Sequence, residues 1–149
     1  MKKYIFLTAA LMALVIFAGC TEKQRPVLQI NNESVTSIEF KKTCYSDEDP
    51  DSRSYVSKTV TEKDDINQII DWAKSLPLVR HDAIEIPVEQ VDYVIVLNGV
   101  KQHKLIFLDD YVVLDTTAFI YENPDSKSEI SEKYNLLNYE ETETQLELI

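Results

Sequence analysis

Glycine is nearly missing from this chain: 149 residues contain two, Gly19 and Gly99. A loop that wraps backbone amides around phosphate needs several glycines in a short span, so that class of nucleotide site is excluded. A nucleophile elbow of the Gly-x-Ser-x-Gly type is excluded with it. Histidine is as scarce. His81 and His103 stand far apart with no ligand-type spacing around either, so no metal centre is expected. The basic residues, 15 against 26 acidic ones, leave a formal charge of −11. Nucleic acid requires clustered Lys and Arg, and anionic lipid surfaces do too, so neither is expected to bind the folded part directly.

The residues that are present begin with an address. Lys2 and Lys3 precede an apolar run from Ile5 to Ala18, broken only by Thr8, and Ala18, Gly19 and Cys20 close it with small residues. A bilayer core of ~30 Å needs roughly 20 apolar residues, so the run is too short for a transmembrane anchor and reads as the h-region of a secretory signal. The ending Phe17-Ala18-Gly19-Cys20 resembles the lipobox of bacterial lipoproteins. The resemblance implies a diacylglycerol thioether on Cys20 and cleavage before it, with Phe17 standing where an aliphatic residue is usual. Residues 1–19 are then the signal peptide, and their removal takes two basic residues and no acidic ones, for a mature charge of −13. Cys44 is left without a disulfide partner and reads as a small apolar residue. The implied location is the cell membrane, lipid-anchored on its extracytoplasmic face.

Residues 20–33 read as a polar tether holding the domain about 20 Å from the lipid, although Val27 to Ile30 also suits a short edge strand. Residues 34–138 read as one α+β domain. Ser34 to Lys41 alternates with period two, Arg53 to Thr61 is rich in β-branched residues, and the two pair as antiparallel neighbours. Asp47, Asp49 and Asp51 between them have the one-three-five spacing of a calcium loop. Ser52 replaces its glycine and Lys58 its final glutamate, so a solvated acidic loop is expected instead. Thr61 is expected to cap a helix with Glu62, Asp64 and Asp65 at its positive end, Ile66, Ile69, Ile70, Ala73 and Leu76 on one stripe, and Pro77 as its stop. Trp72 lies off the stripe and is expected at a partly covered edge, the alternative being an exposed anchor for a partner.

Leu76 to Gln90 reads as a connection, in which His81, Asp82, Glu85 and Glu89 lack the spacing of a metal site. Val91 to Leu97 is the strongest strand, and Asn98-Gly99 predicts a two-residue hairpin into Val100 to Leu108. Leu105 to Leu108 is apolar at four successive positions, which implies a sheet covered on both faces. Asp109-Asp110 and Asp115 fall at turns, Tyr111 to Leu114 and Ala118 to Tyr121 are further strands, and Ile130, Tyr134 and Leu137 mark a short closing helix. Residues 139–149 read as an acidic tail. The expected architecture is an antiparallel sheet of about five or six strands, one main helix on a face and a short C-terminal helix.

This order, with Thr61-Glu62-Lys63 opening the helix and Tyr111-Val112-Val113-Leu114-Asp115 leading through Ile120 and Tyr121 to a short helix, resembles small Gram-positive lipoproteins of the YhfM type. The resemblance spans Val35 to Leu137 and implies a compact α+β domain on a lipid anchor, with no activity or catalytic residue to transfer. The expected function is a non-enzymatic, membrane-anchored binding module with a protein or cell-wall partner. The alternatives are an accessory or inhibitory lipoprotein acting on an envelope enzyme or transporter through Asp47 to Asp51, and a carboxylate-based envelope hydrolase. No catalytic residue, cofactor or metal is assigned, and Cys20 is the one site residue, as the lipidation point.

Overall fold

Period-two burial builds the centre of the molecule. In the computed structural model, which describes residues 28–46, 53–81, 91–122 and 128–145, the alternation read from Ser34 onward becomes β1 (Val35–Tyr45), with Ile38 and Phe40 fully buried. It pairs antiparallel with β2 (Arg53–Val60) on one side and with β4 (Tyr93–Gly99) on the other. The remaining strands are β3 (Leu78–His81), β5 (His103–Phe107), β6 (Tyr111–Leu114), β7 (Thr117–Tyr121) and β8 (Glu141–Thr144). Among the described residues these make one eight-stranded sheet in the order β3-β7-β6-β5-β4-β1-β2-β8, with every pair antiparallel. Helices α1 (Lys63–Ser75) and α2 (Ser128–Leu136) complete an α+β fold.

The sheet therefore exceeds the expected five or six strands, and two of its strands, β3 and β8, fall where none was expected. β3 lies in what reads as a connection; only Leu78 of its four residues is buried, so its apolar signal is too short to register. β8 replaces part of the expected tail. Its sequence Glu-Thr-Glu-Thr carries no apolar residue, and it is held by backbone pairing with Tyr55 to Lys58 of β2.

The stripe on α1 packs as its spacing predicts, with Ile66, Ile69, Ile70 and Ala73 buried. Burial of each isoleucine side chain is worth ~1.5–3 kcal/mol. The cap differs from expectation: Glu62 precedes the helix and makes no side-chain capping bond. Its N–H instead donates to Tyr139 Oη (3.3 Å), which donates to Asp65 (2.8 Å). Trp72 is buried rather than at an edge, because its indole stacks on Phe107 (centroids 5.9 Å apart) and Nε1–H donates to Glu129 of α2 at 3.0 Å. Ile130 and Tyr134 of α2 join the α1 stripe in one cluster on the same face of the sheet.

Two apolar clusters follow from the strand faces. Leu105 and Phe107 join the cluster beneath the helices, whereas Ile106 and Leu108 join Val94, Val96 and Val113 on the opposite face. The four-residue apolar run thus supplies both faces, as expected. Asn98-Gly99 does not form the two-residue turn. Leu97 pairs with His103, Gly99 still belongs to β4 opposite Val35, and its φ is not positive. Glycine is required there for a different reason: a Cβ would collide with the Ser34 carbonyl oxygen.

Candidate functional site

The register divides the sheet into two poles. One, the hairpin pole, carries Val35, Val60, the β4–β5 connection 100–102 and the Asp115-Thr116 turn between β6 and β7. The other carries Tyr45, Arg53, the Leu108–Tyr111 turn and the start of β3. α1 follows β2 at the first pole and delivers the chain to β3 at the second.

The described chain enters along α1, through residues 28–32, which composition alone reads as linker. Leu28 and Ile30 are core residues, at 1 % and 6 % exposure. Asn32, in a 3₁₀ turn over Asn32–Ser34, fastens this segment to the helix. Its Nδ2 donates to Asp71 (2.9 Å), while Oδ1 accepts from Lys74 Nζ (2.5 Å) and the carbonyl from Lys63 Nζ (2.9 Å). An open groove of about 380 Å³ runs beside it, lined by residues 28–32 and Lys74. Composition hid this: a polar Asn-Asn pair reads as linker, and only its position over Lys63, Asp71 and Lys74 makes it a staple.

At the hairpin pole the structure brings together two residues noted separately in the sequence. His103 Nδ1 lies 2.8 Å from Asp115 Oδ2, and Asp115 Oδ1 accepts the Lys104 backbone N–H at 2.9 Å. Asp115 is the one non-glycine residue with positive φ among those described, at 54°. Aspartate tolerates that conformation better than most residues, and its carboxylate bonds stabilise the turn. Burial pushes the Asp115 carboxyl up, but the Lys104 N–H, the His103 bond and charge, and Lys101 together outweigh it, so the pKa is lowered. A carboxylate only accepts, which assigns the proton of this bond to Nδ1. The pair is thus an oriented imidazole. The bond to Asp115 fixes the plane and position of the ring.

Under α2 lies a third group, Lys58, 7 % exposed on β2. Its Nζ donates to the carbonyls of Tyr134 (3.0 Å) and Leu137 (2.8 Å) and sits 4.7 Å from the Tyr134 ring centroid. It caps a helix C-terminus, where a cation is favoured. In the sequence it was visible only as the wrong residue at the end of a calcium loop.

The other residues singled out are scattered. Cys20 and Asp47 to Asp51 lie outside the described residues, as do Asp82, Glu85 and Glu89. Cys44 is half-buried and unbridged. His81 is exposed at the end of β3, 6.1 Å from the Tyr111 ring. Asp109 and Asp110 are exposed in their turn. Among the described residues no three His, Cys, Asp or Glu side chains are grouped to hold a metal, and no helix is long and apolar enough to cross a membrane. No family model, curated protein or solved structure matches the chain.

Proposed function

We propose that this chain is an exported lipoprotein, anchored by Cys20 to the outer face of the cell membrane, whose α+β domain serves as a non-enzymatic binding module for a protein or cell-wall partner. The observation that carries the reading is the run from Lys2 to Cys20: a basic start, an apolar stretch too short to span a bilayer, and small residues ending on cysteine. The likeness to the small YhfM-type lipoproteins supports the same reading. So does the entry of the chain, because Leu28, a core residue at 1 % exposure, follows Cys20 after only seven residues. An anchor so close to a folded core keeps the domain beside the headgroups, where any partner must also be found. Two acyl chains at ~0.8 kcal/mol per buried methylene hold a protein on a membrane where one does not.

The test is Cys20→Ala, read by intact mass and by membrane fractionation. Wild type should carry a diacylglycerol mass on Cys20 and sediment with membranes, and the variant should remain uncleaved or be released. Identical mass and retention in the two would end the lipoprotein reading.

A further inference from the structure

We propose that Lys74 and Asn32 become joined in the folded protein by an intramolecular isopeptide bond, formed with loss of ammonia from the Asn32 side chain and assisted by Asp71. The three groups stand as a nucleophile, an acyl group and a proton carrier. Lys74 Nζ lies 2.5 Å from Asn32 Oδ1. With a C=O bond of ~1.23 Å, an amine approaching along a lone pair of that oxygen is about 3.3 Å from the amide carbon, within the range of a near-attack pair. Rotation about the last bonds of the lysine stem then carries Nζ above the amide plane. Asp71 Oδ1 accepts at 2.9 Å from Asn32 Nδ2, the nitrogen that leaves. Residues 71 and 74 are three apart on α1 and share one face of the helix.

Both reactants are held in place. Asn32 opens the 3₁₀ turn, where the Asn31 side chain accepts from Glu33 N–H (3.1 Å) and the Asn31 carbonyl from Ser34 N–H and Oγ–H (3.2 and 2.8 Å). Leu28 and Ile30, both in the core, line the groove beside Lys74 and give the reacting pair one apolar wall. The Lys63 ammonium, 2.9 Å from the main-chain carbonyl of Asn32, adds positive charge near the developing oxyanion. Asp71 is exposed, so the departing ammonium has an open way to solvent.

The step is redox-neutral. The lysine ammonium gives one proton to Asp71, its freed lone pair adds to Cγ, and the carbonyl π electrons move to Oδ1. Asp71 passes that proton to Nδ2, and the Cγ–Nδ2 bond breaks as the carbonyl re-forms. The second proton lost by Nζ follows the same route, so ammonium leaves and Asp71 is unchanged. The product links residues 42 apart and turns a hydrogen-bonded staple into a covalent one, which restrains chiefly the unfolded chain.

The experiment is intact mass of the full chain beside Lys74→Arg, which keeps the charge and can still bond Asn32. The variant should be heavier than wild type by one ammonia, about 17 Da, beyond the difference between the two side chains. Proteolysis of wild type should yield one branched peptide carrying both Asn32 and Lys74. If Lys74→Arg fails to fold, that peptide decides alone. Masses that differ only by the side chains, with no branched peptide, overturn the crosslink. Ammonia loss in both chains means a succinimide at Asn32, and a gain of about 1 Da in wild type means that water took the amide; either result overturns it too. Asp71→Ala should stay unlinked over the same time, and full linkage in that variant overturns Asp71 as the proton carrier.

Discussion

Removing the buried ammonium of Lys58 should cost more than any other single change on β2. Its Nζ, on a residue 7 % exposed, serves the Tyr134 and Leu137 carbonyls at the end of α2 at 3.0 and 2.8 Å, so Lys58→Met takes the donor from the Leu137 carbonyl and leaves the Tyr134 carbonyl only the long bond from the Leu137 N–H at 3.4 Å. An orphaned buried carbonyl costs ~1–3 kcal/mol, and the loss of a cation at a helix C-terminus up to ~2 kcal/mol more. Against this, methionine fills most of the volume and spares the several kcal/mol needed to desolvate the charge. The balance is a loss of about 2–4 kcal/mol, or a Tm lower by roughly 8–16 °C at ~4 °C per kcal/mol for a domain of this size. Urea unfolding of the Cys20→Ala form supplies the first number and amide exchange the second: protection should fall most across Ser128–Leu136. A loss below ~1 kcal/mol with α2 protection unchanged would show that water or a neighbouring donor replaces the lysine, refuting the capping argument.

Three further outcomes follow from the same packing. The Tyr134 hydroxyl is buried without a well-formed hydrogen bond, and burial and the nearby Glu141 carboxylate push its pKa up, so Tyr134→Phe should be neutral or stabilising, within ~1 kcal/mol by urea unfolding. Gly99→Ala should destabilise by about 1–3 kcal/mol, because the added methyl meets the Ser34 carbonyl rather than a flexible side chain; a Tm equal to wild type would contradict that clash. For Asp115, the folded pKa is below the unfolded one, so its contribution is present above an unfolded pKa of about 3.9 and disappears as pH falls through the folded value. The Tm difference between wild type and Asp115→Asn should therefore shrink on acidification below pH ~4, and a difference independent of pH would contradict the linkage.

Elements whose burial follows a period were legible before any coordinates. The alternation around Ile38 and Phe40, the stripe Ile66-Ile69-Ile70-Ala73 and the apolar strand leading to Leu97 each carry their partner surface in their own spacing. What escaped was held by the backbone or by a distant partner. β8 has no apolar residue and exists because β2 offers it an edge; β3 buries only Leu78. Trp72 lies off the helical stripe, yet Phe107 and Glu129 reach it from β5 and α2, and neither contact has a local mark. His103 and Asp115 were each visible, the aspartate correctly as a turn residue. Their bond depends on β5 pairing with β6, which brings residues twelve apart to one pole.

The order of the strands also sets when the molecule can close. β1 is at the heart of the sheet, but one of its two neighbours, β4, begins only at Tyr93, and the pairing Lys42↔Tyr93 joins segments that emerge far apart in time. Lys58 must wait longer still, for carbonyls 76 and 79 residues downstream. Until α2 arrives, a charged lysine has no lid and the β1–β2 hairpin has one face open to water. Closure of the sheet therefore waits for nearly the whole chain, and pairing at long sequence separation slows any premature attempt. The lysine that seals the finished domain is the same residue that discourages an early one.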